Sequence, residues 1–145
     1  MLPPVFVRYT TNARRVLFFG RYEASQFGSP IIESELLLLG LVREDRMAST
    51  LYLSLEAGEV IRTEVEHRTT IHEKKTTSID IPLSPECKSI LRYAAEEAQS
   101  LKHRHVDLGH LYLGMLREDS CLAATLLREQ DIQTETLRTQ IQQKG

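Results

Sequence analysis

The chain has 145 residues, of which 41% are hydrophobic and 26% charged, and its net charge is −2. The length suits one domain, and the composition is typical of a globular protein rather than a disordered or fibrous one. Because the small net charge is negative and Lys and Arg are spread along the chain, nucleic acid and anionic membrane surfaces are not expected partners. The longest apolar run, Leu36–Val42, is too short to span a membrane.

The chain contains an internal duplication. Gly40–Asp45 reads GLVRED and Gly114–Asp119 reads GMLRED, 74 positions later. At this offset residues 13–45 and 87–119 share nine identities in 33 positions, where average composition predicts about two. Because each half has only about 70 residues, a marginal length for a separate core, we expect a single domain, 1–145, in which the two repeats share one core.

Hydrophobic periodicity predicts an all-α fold with four helices in each repeat and eight in all. Repeat one, about 8–67, has predicted helices at 13–27, 35–42, 48–55 and 59–66; repeat two, about 84–143, has them at 85–101, 108–116, 122–129 and 134–142. The second helix of each repeat is apolar on every side and belongs at the centre, with Ser34 and Asp107 as the expected caps. The junction at 68–83, rich in Thr and Ile, predicts either a short β-hairpin turning near 73–75 or an extended strap.

The two cysteines, Cys87 and Cys121, lie in predicted helices without metal-ligand or disulfide spacing. We expect both to be reduced and buried, which favours a cytoplasmic location. The first eight residues are too few and too rich in proline for the apolar part of a signal peptide.

The repeated segments match a known pattern. An amphipathic, Ala-rich helix is followed by IESELLLLGLVRE from Ile32 to Glu44 and by VDLGHLYLGMLRE from Val106 to Glu118. This pattern resembles the Clp repeat domain at the N-terminus of ClpA- and ClpC-type unfoldases, over roughly residues 8–143. The resemblance implies a pseudo-two-fold helical domain that recruits substrates or adaptor proteins to an ATP-driven unfoldase partnered with a peptidase.

The resemblance also implies a candidate ligand site. Some relatives bind phosphorylated arginine in each repeat, through a Glu of the second helix and a Thr at the start of the first. A carboxylate pairs with a guanidinium, and a helix N-terminus attracts a phosphate. Glu35 and Thr10 stand at these positions in repeat one, whereas repeat two has Ser84 for the Thr and Gly109 for the Glu. The alternative is that Glu35 is a first-turn acid favoured by the helix dipole and Thr10 a plain cap.

No catalytic motif is present, so we expect neither an enzyme nor a cofactor. Gly109–Gly114 has the glycine spacing of a phosphate-binding loop but is followed by Met115 and Leu116, where Lys and Ser or Thr are required. The acids that end the second helices, in Arg43–Asp45 and Arg117–Asp119, are expected to be solvated or paired locally.

A histidine-rich segment suggests a metal site, which would require four side chains to converge. These are His103, His105, Asp107 and His110. Because the Clp family commonly has His at two of these positions for structural reasons, we expect no metal, and a small metal-dependent hydrolase is the disfavoured alternative.

The remaining expectation concerns a protein-binding surface. A groove where the halves meet could hold a substrate or an adaptor, and apolar residues before the first helix, among them Phe6 and Tyr9, could cover or line it. The expected partners are substrate or adaptor proteins and a Clp ATPase core. That core is either part of the same natural chain or a separate protein on which this chain docks as an accessory.

Overall fold

The computed structural model describes residues 8–74 and 80–144. Over these residues the chain forms seven α-helices and two isolated β-bridges. The helices are α1 (Thr11–Phe27), α2 (Ser34–Met47), α3 (Leu55–Arg68), α4 (Pro85–Ser100), α5 (Leu108–Arg117), α6 (Leu122–Glu129) and α7 (Thr134–Lys144). None of the helices in these two segments is long and apolar enough to cross a membrane. The all-helical prediction is confirmed, and the count of eight helices is not.

The first helix of each repeat begins at a hydroxyl cap. The Thr10 hydroxyl accepts the backbone N–H of Ala13 at 3.1 Å at the start of α1, and the Ser84 hydroxyl accepts that of Cys87 at 3.1 Å at the start of α4. Each cap satisfies an N–H group that has no partner within the first helical turn.

The second helices begin differently from each other. Asp107 caps α5 as predicted, in a capping box in which the ring of His110 accepts the backbone N–H of Asp107 at 2.9 Å. The prediction that Ser34 caps α2 is wrong. Ser34 is already helical, and Glu33 precedes it without a side-chain hydrogen bond to the helix. The Ser34 hydroxyl instead accepts the N–H of Ala123, in α6 of the other repeat, at 3.3 Å.

The predicted third helix of repeat one, at 48–55, is absent, and a loop at 48–54 replaces it. Ser49 and Thr50 have positive φ angles of 77° and 51°. The carboxylate of Asp45 accepts three consecutive backbone N–H groups at 2.6–3.3 Å, those of Leu51, Tyr52 and Leu53. Because a side chain holds these groups, the backbone turns instead of continuing as a helix. Helix α3 then begins at Leu55 rather than near 59.

The acids that end α2, Glu44 and Asp45, are not solvated, since each is 1% exposed, although Asp45 is paired locally with the amides of the following loop. Asp45 also accepts the hydroxyl of Tyr112, from repeat two, at 2.8 Å. The Glu44 carboxylate forms an ion pair with the Arg15 guanidinium group of α1, at 3.1 Å. These acids join separate elements, whereas Asp119, the duplicate of Asp45, is exposed.

The two bridges interlock the repeats. Tyr9 pairs in parallel with Val106, and Ile32 with Leu83. Since Tyr9 and Leu83, like Ile32 and Val106, are 74 positions apart, one bridge is the duplicate of the other. The segment before the first helix of each repeat therefore pairs with the segment before the second helix of the other repeat.

The repeated glycines mark the closest helix crossing in each repeat. A Cβ at Gly40 would lie 2.6 Å from the carbonyl oxygen of Val16 and 2.6 Å from the nitrogen of Gly20, and one at Gly114 would collide with the carbonyl oxygen of Ile90. Only glycine allows α2 to approach α1, and α5 to approach α4, this closely. The central helices α2 and α5 are thereby held against the first helices, in one shared core.

The junction contains no hairpin in its described residues, 69–74 and 80–83, where the regular pairing is the bridge of Leu83. The His72 N–H donates to the carbonyl of Phe27 at 2.8 Å, so this part runs alongside the end of α1. The predicted turn near 73–75 lies partly outside the described residues.

Candidate functional site

Thr10 lies at the contact between the repeats. Its hydroxyl donates to the Asp107 carboxylate at 2.8 Å while accepting the N–H of Ala13, and its backbone N–H donates to the Val106 carbonyl at 3.0 Å. The hydroxyl is therefore engaged on both sides, at the start of α5 as well as that of α1.

Glu35 lies elsewhere, in the first turn of α2. Burial raises the pKa of its carboxyl group, and the nearby carboxylates of Glu33 and Glu86 raise it further, against the opposite effect of hydrogen bonds from its own backbone N–H and from Ser34. The neighbour Glu86 belongs to the start of α4. Because the segments cross between repeats, Glu35 lies near the start of α4, and Thr10 contacts the start of α5. The two predicted site residues thus lie at two different contacts between the repeats, Thr10 at the start of α5 and Glu35 near the start of α4.

The place that corresponds to Glu35 in repeat two is filled. A Cβ at Gly109 would lie 2.5 Å from Cγ1 of Ile141 and 2.9 Å from the hydroxyl of Tyr52. A glutamate there would displace both side chains, so repeat two lacks the space for the carboxylate as well as the carboxylate itself. Sequence alone identified the missing Glu; the side chains that replace it come from distant parts of the chain.

The histidine-rich segment forms a hydrogen-bonded pair. Nδ1 of His103 and Nε2 of His110 are 2.9 Å apart, and Nδ1 of His110 accepts the Asp107 N–H. The neutral His110 ring therefore carries its hydrogen on Nε2, and this N–H donates a hydrogen bond to Nδ1 of His103. Burial, and then the neighbouring His103, lower the pKa of His110 to about 4. No group of three or more potential metal ligands converges within residues 8–74 and 80–144.

Of the predicted surface residues, Phe6 lies outside the described residues, and Tyr9 lies in the core at 3% exposure. Burial raises the pKa of the Tyr9 hydroxyl above its usual range. A side chain in this position supports the core and does not line an exposed groove, which corrects the prediction for Tyr9.

An open groove lies instead within repeat one, between the second half of α2, the 48–54 loop and the first half of α3. Its volume is about 540 Å³. The floor includes Leu39, Val42 and Leu53, and the rim includes Met47 and Leu55, which are 64% and 49% exposed. Large exposed apolar side chains around a cavity are typical of a protein-binding surface. Sequence reasoning missed this groove because the predicted helix at 48–55 would have filled it.

Two arginines give the groove a positive rim. Arg43 lies over the rings of Phe19 and Tyr22, at 4.6 and 5.3 Å from their centres, and Arg46 lines the same groove. Neither forms an ion pair with a described residue. The duplicate of Arg43, Arg117, also lies over a ring but pairs with Glu96 at 2.9 Å.

The architecture defines a class of protein: an all-helical domain of two interlocked repeats. Residues 82–144 match the sequence profile of the Clp repeat (R) N-terminal domain. Over 138 residues, 94% of this chain, it is 30% identical to the chloroplastic chaperone protein ClpC2 of Arabidopsis thaliana and to the chloroplastic ClpC1 of Oryza sativa. The chain spans 14% and 15% of the lengths of these relatives. The chain belongs to the Clp repeat N-terminal domain family.

Solved structures show the same fold. The N-terminal domain of the chaperone ClpD from Arabidopsis thaliana matches with a TM-score of 0.73 at 23% identity, over 100% of both chains. The Hsp104 N-terminal domain from Candida albicans matches with a TM-score of 0.67 at 17% identity, over 91% of this chain and 87% of that one.

Proposed function

We propose that this chain is a non-catalytic recruitment domain, which binds substrate or adaptor proteins for a Clp-type ATP-dependent unfoldase in the cytoplasm. Family membership supports the general role, since Clp repeat domains are parts of Clp chaperones in the relatives that this chain resembles. The open α2–α3 groove is the observation that carries the proposal for this chain in particular.

The groove suits a partner segment with apolar side chains and carboxylates. Its floor offers apolar area, and Met47 and Leu55 extend that area at the rim. Arg43 and Arg46 form no ion pair with a described carboxylate, although Glu59 also lines the groove, and Arg62, which is held by Glu23 at 2.7 Å, closes one side. Apolar burial supplies affinity, and the arginines favour acidic partners over basic ones.

A phosphoarginine pocket has weaker support. Glu35 supplies the carboxylate that repeat two lacks, but its hydroxyl partner is Ser34, at 3.4 Å, and the Ser84 hydroxyl is buried and already accepts a hydrogen bond from the Cys87 N–H. Glu33 and Glu86 add negative charge that repels a phosphate. We therefore expect no heat above background when phosphoarginine is titrated calorimetrically into the domain. A heat of binding in the wild type that disappears in a Glu35→Ala variant would instead show that phosphoarginine binds at Glu35.

Capture from lysate tests the groove. The wild-type domain, a Met47→Asp and Leu55→Asp double variant, and a Val60→Asp control are each immobilised, and the captured proteins are quantified by mass spectrometry. Val60 is 44% exposed and lies on the same helix as Leu55, but it does not line the groove. We expect the double variant to lose a set of proteins that the control retains.

The captured proteins are then degraded by a Clp unfoldase and peptidase whose own N-terminal domain has been replaced by this chain. Degradation that requires Met47 and Leu55 supports recruitment. Identical capture by all three forms, or degradation that does not depend on the attached domain, would refute the proposal.

A further inference from the structure

A second concave surface, lined by cations, lies where the repeats meet; we call it the connector cleft. It consists of two adjoining depressions of about 610 and 290 Å³. Its polar lining is Arg8, Gln99, Lys102, His103, Arg104 and His105. Arg8 comes from repeat one and the others from the end of α4 and the α4–α5 connector. A hydrogen bond of 2.9 Å from the Val106 N–H to the Arg8 carbonyl holds the two sides together.

The cations of the cleft have no carboxylate partners within the described chain. None of the ion pairs among residues 8–74 and 80–144 involves Arg8, Lys102 or Arg104. The sequence outside those ranges contains no Asp or Glu. The carboxylate of Asp107, close in sequence, accepts the hydroxyl of Thr10. The positive charge is therefore available to an external anion.

The duplication shows that the fold does not require these cations. The positions that correspond to Arg8, Lys102 and Arg104 in the duplicate arrangement are Pro82, Gly28 and Pro30. That side is also covered, because a Cβ at Gly28 would collide with the carbonyl of Glu73 in the junction. The same local fold thus carries an open cleft with three cations on one side, whereas on the other side the corresponding positions hold no cation and the junction covers Gly28.

Lys102 adds an independent indication. Its φ angle is +61°, and its duplicate Gly28 has +70°. This left-handed conformation costs conformational energy for any residue with a Cβ, and glycine adopts it freely. A lysine at a position where glycine is the better backbone choice indicates that the side chain has a use.

We propose that the connector cleft binds a short acidic segment of a recruited protein, with Asp or Glu carboxylates against Arg8, Lys102 and Arg104. The inference deepens the proposed recruitment role and rests on it. The two guanidinium groups can each take a carboxylate through paired N–H donors, and the ammonium group adds a point charge. The net charge of −2 opposes long polyanions such as nucleic acid, whereas a short segment meets mainly the local positive field.

A fluorescein-labelled hexaglutamate peptide tests the cleft by fluorescence anisotropy. We expect saturable binding that weakens as salt rises. Arg104→Glu should weaken it by about fivefold or more, because one attraction becomes a repulsion. The control is Lys88→Glu, an identical charge change at an exposed position near the start of α4, which does not line the cleft; it should alter the affinity by less than about twofold.

A second variant separates a binding role from a structural one. Lys102→Gly should raise the melting temperature, since it relieves the backbone strain, and at the same time weaken peptide binding. Unchanged binding by Lys102→Gly and Arg104→Glu would overturn the inference. So would displacement of the peptide by inorganic phosphate at equal charge concentration, or stronger binding of a single-stranded oligonucleotide.

The titration is independent of the α2–α3 groove. The Met47→Asp and Leu55→Asp double variant should bind hexaglutamate as the wild type does, so a failure of the groove leaves this result standing. If the wild-type domain does not bind the peptide, the proposal for the connector cleft is refuted, and the proposal for the α2–α3 groove is unaffected.

Discussion

The duplicated aspartates provide the most discriminating prediction. Asp45 and Asp119 end the two copies of the same hexapeptide, yet Asp45 is 1% exposed and Asp119 lies at the surface. We predict that Asp45→Asn destabilises the domain strongly and that Asp119→Asn leaves its stability nearly unchanged. The same chemical change is thus compared in two copies of one sequence motif.

The magnitude follows from the hydrogen bonds of the carboxylate. Oδ1 of Asp45 accepts a hydrogen bond from the backbone N–H of Leu51 at 2.6 Å. Oδ2 accepts hydrogen bonds from the backbone N–H of Leu53 at 3.0 Å and from the Tyr112 hydroxyl at 2.8 Å. An asparagine amide has one acceptor oxygen, so its NH₂ group must face donors in either orientation. Two of the hydrogen bonds to the charged carboxylate are therefore weakened or lost. Because the Tyr112 hydroxyl can rotate to relieve part of the loss, we expect the free energy of unfolding to decrease by about 3 kcal/mol.

The free energy of unfolding is measured by urea titration with circular dichroism, and the melting temperature by thermal unfolding. Asp45→Asn should melt about 6–12 °C lower, on the scale expected for a domain of this size. Hydrogen exchange should accelerate first at the amides of residues 51–53. If Asp45→Asn and Asp119→Asn differ by less than about 0.5 kcal/mol, the carboxylate does not organise the loop, and the reasoning fails.

Two further predictions concern the core. Gly40→Ala should destabilise the domain by about 2–4 kcal/mol because its Cβ would meet the backbone of α1. Gly58→Ala should cost much less, because its Cβ would meet only one methyl group of Val42, at 3.0 Å, which can shift by a few tenths of an ångström without moving the backbone. Equal melting temperatures would contradict this account of the helix crossing. The pKa of His110, lowered to about 4 in the folded state, makes the unfolded state bind more protons between pH 6.5 and 4, so stability is lost as pH falls through that window by about 3 kcal/mol. His110→Gln keeps the capping-box pattern and should reduce the acid loss measured by urea titration at pH 7 and pH 4.5; an unchanged loss would show that other groups cause it.

Local signals predicted the greater part of the helices. Apolar spacing located α1, α4 and the central helices α2 and α5, and cap chemistry placed Asp107 at the start of α5 but misplaced the cap of α2 at Ser34. These features depend on neighbours a few residues apart, which sequence displays directly. Helix α6 agrees with the prediction at 122–129, whereas the equivalent segment in repeat one does not form a helix.

The repeat-one loop could not be predicted locally, because its cause is a carboxylate that also binds Tyr112 of the other repeat. Periodicity at 48–55 is compatible with a helix, and only the buried acceptor decides against it. The loop also shapes the surface on which the proposed recruitment role depends, since the absent helix leaves the α2–α3 groove open.

The sequence by itself determined the duplication, the all-helical class and the resemblance to Clp repeat domains, because these depend on composition, spacing and identity along the chain. Only the tertiary structure decided how the repeats interlock and therefore which residues meet. Thr10 contacts the start of α5, and Glu35 lies near the start of α4, because the paired segments cross from one repeat to the other. Each half of this chain completes the other, and a site made at that contact belongs to neither repeat alone.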